Sequence, residues 1–171
     1  MPRYTMRKQI LAVGGDYDVL DESGEVAFEV DGKVRFASTF VIKDRDGNEV
    51  AAGREKLLSL DTGVHLQRAG QPLAVVRKVF VMPAKLFSGV EKIAFVVDVT
   101  GGATLEAHGA FYEDDYALRR GTEQVATVKQ LRTGTRESYE IVVAPGEDDA
   151  LVLAIATAIV KLVPAPSVGE P

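Results

Sequence analysis

The 171-residue chain contains no cysteine, which excludes a disulfide framework, a thiolate metal centre and a cysteine nucleophile. It contains no tryptophan, and aromatic residues make up only 7% of it, too few and too dispersed for a base-stacking platform. The only imidazoles are His65 and His108. Each lies in a strand-like run without a potential partner nearby, so neither a zinc site nor a histidine-dependent catalytic centre is legible. A Gly-x-Ser-x-Gly elbow, a Walker loop and a Gly-x-Gly-x-x-Gly turn are all missing, which removes the linear signatures of hydrolases and nucleotide binders. The net charge of −5 and pI near 5.1 oppose nucleic-acid binding, where phosphate neutralisation supplies most of the affinity. No apolar run reaches the roughly 20 residues that a membrane-spanning helix needs. The opening MPRYTMRKQI has basic residues but no apolar core of signal-peptide length behind it, so the expected location is cytoplasmic, with peripheral attachment to a membrane as its variant.

What the chain does have is one stretch of unusual apolarity, Ala150–Val160 (ALVLAIATAIV), in which Thr157 is the only polar side chain. A helix that is apolar all round must be surrounded by protein or lipid. Pro145-Gly146 and the carboxylates Glu147-Asp148-Asp149 mark its start, since acids suit the positive end of a helix and can cap its free N–H groups. Lys161 and then Pro164 and Pro166 mark its end. The spacing predicts a helix over 148–163, about 24 Å long. That is too short for a bilayer and long enough to fill a domain. Residues 164–171 (PAPSVGEP) read as a disordered tail, leaving 1–163 as a single domain.

Before that helix the chain repeats a unit: a short alternating strand, a polar turn containing Gly, and a second strand. The instances are Tyr17–Val30, Phe40–Lys56, Val64–Lys78 and Tyr116–Lys129, with Gly24, Gly47 and Gly70 spaced 23 residues apart. Period-two alternation points one side of each strand to a core, and turns such as Asp46-Gly47 close hairpins because Gly tolerates positive φ. Further strand-like runs are Tyr4–Val13, Lys33–Thr39, Leu57–Leu60, Val79–Phe87, Ile93–Val99, Thr104–His108 and Glu137–Val143. About twelve antiparallel strands and one wholly apolar helix are satisfied together by a closed all-β barrel with the helix inside it. A β-sandwich with a helix on one end is the second solution. In the barrel the interior is occupied, so a ligand binds outside or at a mouth.

The order of these strings resembles the LURP-one-related family, which shares the Tubby C-terminal-like fold and is distantly similar to phospholipid scramblases. The resemblance rests on Arg3–Arg7 (RYTMR), Tyr17–Asp21 (YDVLD) with Gly24, Thr39–Asp44 (TFVIKD) with Asp46-Gly47, Arg54–Leu60 (REKLLSL), Ala74–Lys78 (AVVRK) and Glu147–Leu151 (EDDAL), and it spans Tyr4 to Val163. It implies a twelve-stranded antiparallel barrel around a central hydrophobic helix. It also implies, through Tubby domains, recognition of phosphoinositide head groups by basic side chains on the barrel exterior. It carries no catalytic motif.

The candidate site follows from the repeat. Arg54, Arg77 and Lys129 stand seven, seven and eight residues after their turn glycines Gly47, Gly70 and Gly121, next to Lys56, Lys78 and, further on, Arg132. Equivalent hairpins would put these cations at matching places on the wall, able to attract a phosphate or an acidic partner. The competing explanation is that strands blunt their exposed faces with Lys and Arg. Arg3, Arg7, Lys8, Lys85, Arg119, Arg120 and Arg136 are further basic positions. Asp44–Glu49 superficially resembles a calcium loop, but its Gly falls fourth rather than sixth, and a hairpin turn accounts for it. Glu113-Asp114-Asp115 and Glu147-Asp148-Asp149 are acidic triplets that could meet around a cation, but they read better as a turn and a helix start. No catalytic residue, metal ligand or cofactor is indicated. The expectation is a noncatalytic binding or adaptor module for an anionic lipid head group or a protein partner, with a structural protein that takes no small ligand as the alternative and an enzyme third.

Overall fold

The computed structural model describes residues 1–11, 15–33, 39–55, 63–80, 93–110, 115–132 and 134–163. Lys56, the run Leu57–Leu60, Val79–Phe87 beyond Phe80, Glu113-Asp114 and the tail 164–171 lie outside the described residues, as do the middle of Lys33–Thr39 and the end of Tyr4–Val13.

Twelve strands precede one helix: β1 (Arg3–Lys8), β2 (Tyr17–Leu20), β3 (Val26–Lys33), β4 (Thr39–Asp44), β5 (Glu49–Glu55), β6 (Gly63–Arg68), β7 (Gln71–Phe80), β8 (Ile93–Val99), β9 (Thr104–Ala110), β10 (Asp115–Arg120), β11 (Glu123–Leu131), β12 (Ser138–Val143) and α1 (Asp149–Leu162). Every strand is antiparallel to its sequence neighbours, and β1 pairs with both β2 and β12, which closes the ring. Closure leaves no unpaired edge to template association. The barrel preferred from the residues is the arrangement found, and the second solution, a β-sandwich with a helix on one end, is not. The strand that begins the barrel is shorter than the run Tyr4–Val13 suggests. Beyond Lys8 the ladder to β2 closes with Gln9 N donating to Asp16 O at 2.9 Å, and Ile10 and Leu11 are exposed.

All four hairpins form where the Gly repeat places them, as β2–β3, β4–β5, β6–β7 and β10–β11. Two of these turns are built alike. Asp44 Oδ1 accepts from the backbone N–H groups of Asp46 and Asn48, with Gly47 at φ +81°. Asp21 Oδ1 accepts from those of Ser23 and Glu25. These bonds hold both carboxyls below the usual carboxylate range, for Asp44 through Asn48 first and for Asp21 through the Ser23 hydroxyl first. The stretch Asp44–Glu49 is therefore a side-chain-braced hairpin turn.

The helix starts on Asp148, whose side chain accepts from Leu151 N, and ends on Val163. Val152–Ile159 are buried without interruption. Eight consecutive residues exceed two turns, so every face of the helix is covered, which inside a closed ring requires the helix to lie in the lumen. Its one polar side chain, Thr157, is 1% exposed and is satisfied by donating to Leu153 O at 2.8 Å. Inward strand residues such as Met6, Val19, Ile42, Leu66, Phe95, Val97, Leu118 and Ile141 surround it. The backbone of α1 runs close to β5, whose inward positions include Ala51 and Gly53; small residues permit that approach.

Candidate functional site: a barrel with two unlike ends

Because strands alternate in direction, all the Gly hairpins and the helix start share one end of the barrel. Helix residue Lys161 and the connections β1–β2 and β11–β12 share the other. At the turn end carboxylates prevail: Asp21, Glu22 and Glu25 on the first hairpin, Asp44, Asp46 and Glu49 on the second, Glu123 on the last, and Glu147, Asp148 and Asp149 where α1 begins. Cations there are fewer, and three of them are engaged. Arg45 pairs with Asp21 and Glu25, Arg68 reaches Asp148 at 2.8 Å, and Arg120 takes both oxygens of Glu147 at 2.9 Å each. That two-pronged bond is the first cause holding Glu147 below the usual glutamate range. Tyr4, which packs edge-on against Phe28, donates to Asp149 at 2.5 Å. Burial first, and then this bond, push its phenol above the ordinary tyrosine range.

The opposite end is cationic. Arg7 and Lys8 finish β1, Arg54 is next to last on β5, Lys78 and Lys129 lie three residues or fewer from the ends of β7 and β11, and Arg132, Arg136 and Lys161 follow. The repeat thus delivers its cations to one height along the barrel. It does not deliver them to one patch. Arg54 on β5 and Lys129 on β11 stand six strands apart in a ring of twelve, on opposite sides. Arg54 lies level with Val75 through His65, so Arg77 is two strands across and two residues along, about 12 Å away at ~4.8 Å per strand and ~3.4 Å per residue. Arg77 also reaches Asp98 at 2.9 Å, an exposed pair, which holds the guanidinium by no more than ~1 kcal/mol. Lys129 faces Glu140 on β12, and Glu140 in turn accepts from Arg3 at 2.9 Å. Arg54, Lys129 and Arg132 are exposed.

Two features of this end are not read from the sequence. Lys161 is half-buried, makes no hydrogen bond or ion pair among the described residues, and lies with its Nζ 3.6 Å from where a side chain on Gly15 would begin. Burial pushes its pKa below the usual lysine range, Lys8 adds to that effect, and Asp16 and Glu55 oppose it. At the same end of the barrel Glu137 accepts from the hydroxyls of Tyr139 at 2.6 Å and Tyr17 at 3.0 Å and from Lys8 at 3.3 Å. Burial raises the Glu137 carboxyl, but these three donors outweigh it and leave the pKa below the ordinary glutamate value. A carboxyl whose folded pKa is depressed contributes stability above its unfolded pKa and loses it as pH falls through the folded value. Glu137→Gln is therefore expected to lower Tm by about 3–6 °C at pH 7, with the gap to the parent narrowing as pH falls below about 4. A gap independent of pH, measured by thermal melts from pH 3 to 7, would contradict this account.

The histidines do not form a shared site. His108 Nε2 is 2.8 Å from Glu106 Oε2 on the exposed face of β9, and His65 is on β6 with its Nε2 buried and unbonded.

A closed twelve-strand antiparallel barrel threaded by its own C-terminal helix defines the fold class of the molecule. The sequence matches the family model described as LURP-one-related over residues 3–160, and the chain belongs to that family. Among solved structures it is similar to an X-ray structure of a protein from Arabidopsis thaliana, with 16% identity, a TM-score of 0.60, and coverage of 94% of this chain and 91% of that one. At that identity the likeness is one of fold. No curated protein matches the chain in sequence.

Proposed function

We propose that the protein is a noncatalytic binding module that recognises an anionic group, with a phosphoinositide head group as the first probe, at the basic end of the barrel. The observation that carries this reading is the segregation of charge. Arg54, Lys129, Arg132, Arg136 and Lys161 gather toward the mouth where α1 ends, with Asp16, Glu55 and Glu137 among them, while the carboxylates of the Gly hairpins and of the helix start gather at the other mouth. Cations set around one low-dielectric rim focus potential on a single approach direction, even in a molecule of net charge −5. The interior is filled by α1, which supports recognition at the rim rather than in a lumen. The family and the fold fit a binding module.

The test is binding of liposomes and soluble inositol phosphates across a phosphoinositide panel, at low and at physiological salt. Head-group-selective, saturable binding is expected, reduced about tenfold or more in the triple variant Arg54→Gln, Lys129→Gln, Arg132→Gln and unchanged in Glu22→Gln at the far end. Binding that ignores the triple substitution refutes the rim. An absence of binding at either salt would leave a protein partner, or a structural role without a small ligand, as the reading.

A further inference from the structure

We propose that the opposite, acidic mouth is a second interaction surface, which docks a basic peptide segment by inserting one apolar side chain beside the start of α1. A cavity of about 190 Å³ opens there between the β8–β9 turn and the helix. Its floor is apolar, formed by Leu105, Val125, Leu151 and Val152, and exposed Gly102 and Ala103 stand at its edge. An apolar cavity of comparable size accepts a benzene ring, so a leucine or phenylalanine side chain is the scale of group that fits. The charged groups in its wall are already matched, because Arg120 and Glu147 bind each other through two bonds of 2.9 Å and Asp148 is held by Arg68 and Leu151 N. An apolar occupant leaves neither of them unpaired.

Charge selects what flanks that anchor. Across the helix start lies a wider recess, of about 420 Å³, in which Asp44, Asp46 and Asp21, the last paired with Arg45 of the same recess, surround the Tyr4–Phe28 ring pair. Tyr4 ties this recess to Asp149, while Asp148 and Leu151 border the apolar cavity, so the two depressions adjoin the same turn of helix. Carboxylates beside aromatic rings favour an ammonium or guanidinium group. The excess of carboxylates over cations around this mouth repels acidic segments and anionic bilayers, and complements a lysine- or arginine-rich chain. The occupant is accordingly a basic peptide with one aliphatic or aromatic anchor.

The probe is a fluorescein-labelled peptide, Lys-Lys-Leu-Lys-Lys, compared with Lys-Lys-Ser-Lys-Lys and Glu-Glu-Leu-Glu-Glu, in anisotropy titrations against the full chain at low salt and backbone NMR. The leucine peptide is expected to bind saturably and about tenfold tighter than the serine peptide, to weaken with salt, and to shift the resonances of Ala103, Leu105 and Leu151. The glutamate peptide is expected not to bind. Ala103→Trp, at an exposed position, should fill the mouth of the cavity and cost about tenfold in affinity, and Asp46→Lys about threefold, with both variants melting like the parent. Equal binding of the leucine and serine peptides, shifts confined to the Lys161 end, no saturable binding, or an Ala103→Trp variant that binds as the parent does would each overturn the proposal. None of these outcomes bears on the anion reading, which uses other probes at the other mouth.

Discussion

Deleting residues 150–171 is expected to abolish the fold: strand circular dichroism and cooperative melting both disappear, although all twelve strands remain in the chain. Val152, Leu153, Ile155 and Ile159 are no more than 2% exposed, and fully burying four such side chains contributes ~6–12 kcal/mol before entropy is subtracted. That is as large as the ~5–15 kcal/mol net stability of a typical domain. The loss is worse than the lost contacts alone, because the inward faces of the strands would surround an empty lumen. A graded version is available. Leu153→Ala is expected to destabilise by about 2–5 kcal/mol, and Ile155→Asp, which buries an unpaired carboxylate, by more. A soluble truncation that keeps native-like strand dichroism and a cooperative melt would show that the strands close over one another without the helix.

The second large effect is expected from the smallest substitution. Gly53 lies opposite Phe40 across the β4–β5 ladder, and the Phe40 ring covers it so closely that a Cβ there would fall 2.3 Å from Cε1 and 2.4 Å from Cζ. Phe40 is fully buried and has no free volume to swing into in a close-packed interior. Gly53→Ala should therefore cost about 1–3 kcal/mol, read as a Tm drop of roughly 3–10 °C. The double variant Gly53→Ala, Phe40→Leu should recover part of it, because the clash is with that ring. An unchanged Tm for the single variant, or no recovery in the double one, would place the ring elsewhere. The glycine is a packing requirement: α1 and the Phe40 ring both need the space above β5.

Much of the molecule was legible in its residues, and the reason is locality. The four Gly hairpins are written by period-two alternation around a turn that only a few residue types accept, as at Asp44–Gly47 and Asp21–Gly24. The helix is written by one apolar run between acids and prolines, and its caps, Asp148 and Val163, are the expected bounds. Even the barrel follows, since a helix with no polar face and strands with one apolar face have few joint solutions. The run Tyr4–Val13 has strand-like composition throughout, yet the strand ends at Lys8, and the ladder to β2 closes with one last bond from Gln9 N to Asp16 O.

The spacing of Arg54, Arg77 and Lys129 from their turn glycines was set by sequence alone, and with it their height along the barrel, because each hairpin rises by the same amount per residue from its own turn. Their positions around the barrel were not. These depend on strand order and on the closure of β1 with β12, which decide that Arg54 and Lys129 stand on opposite sides while Arg77 lies two strands from Arg54. The same closure brings Glu137 to Tyr17, 120 residues away, and Tyr4 to Asp149, 145 residues away. Residue order determined the elements and their polarity end to end, through torsional preference and short-range hydrogen bonding. Only the tertiary structure decided which charges share a rim, because ring closure is a global constraint that no local string encodes.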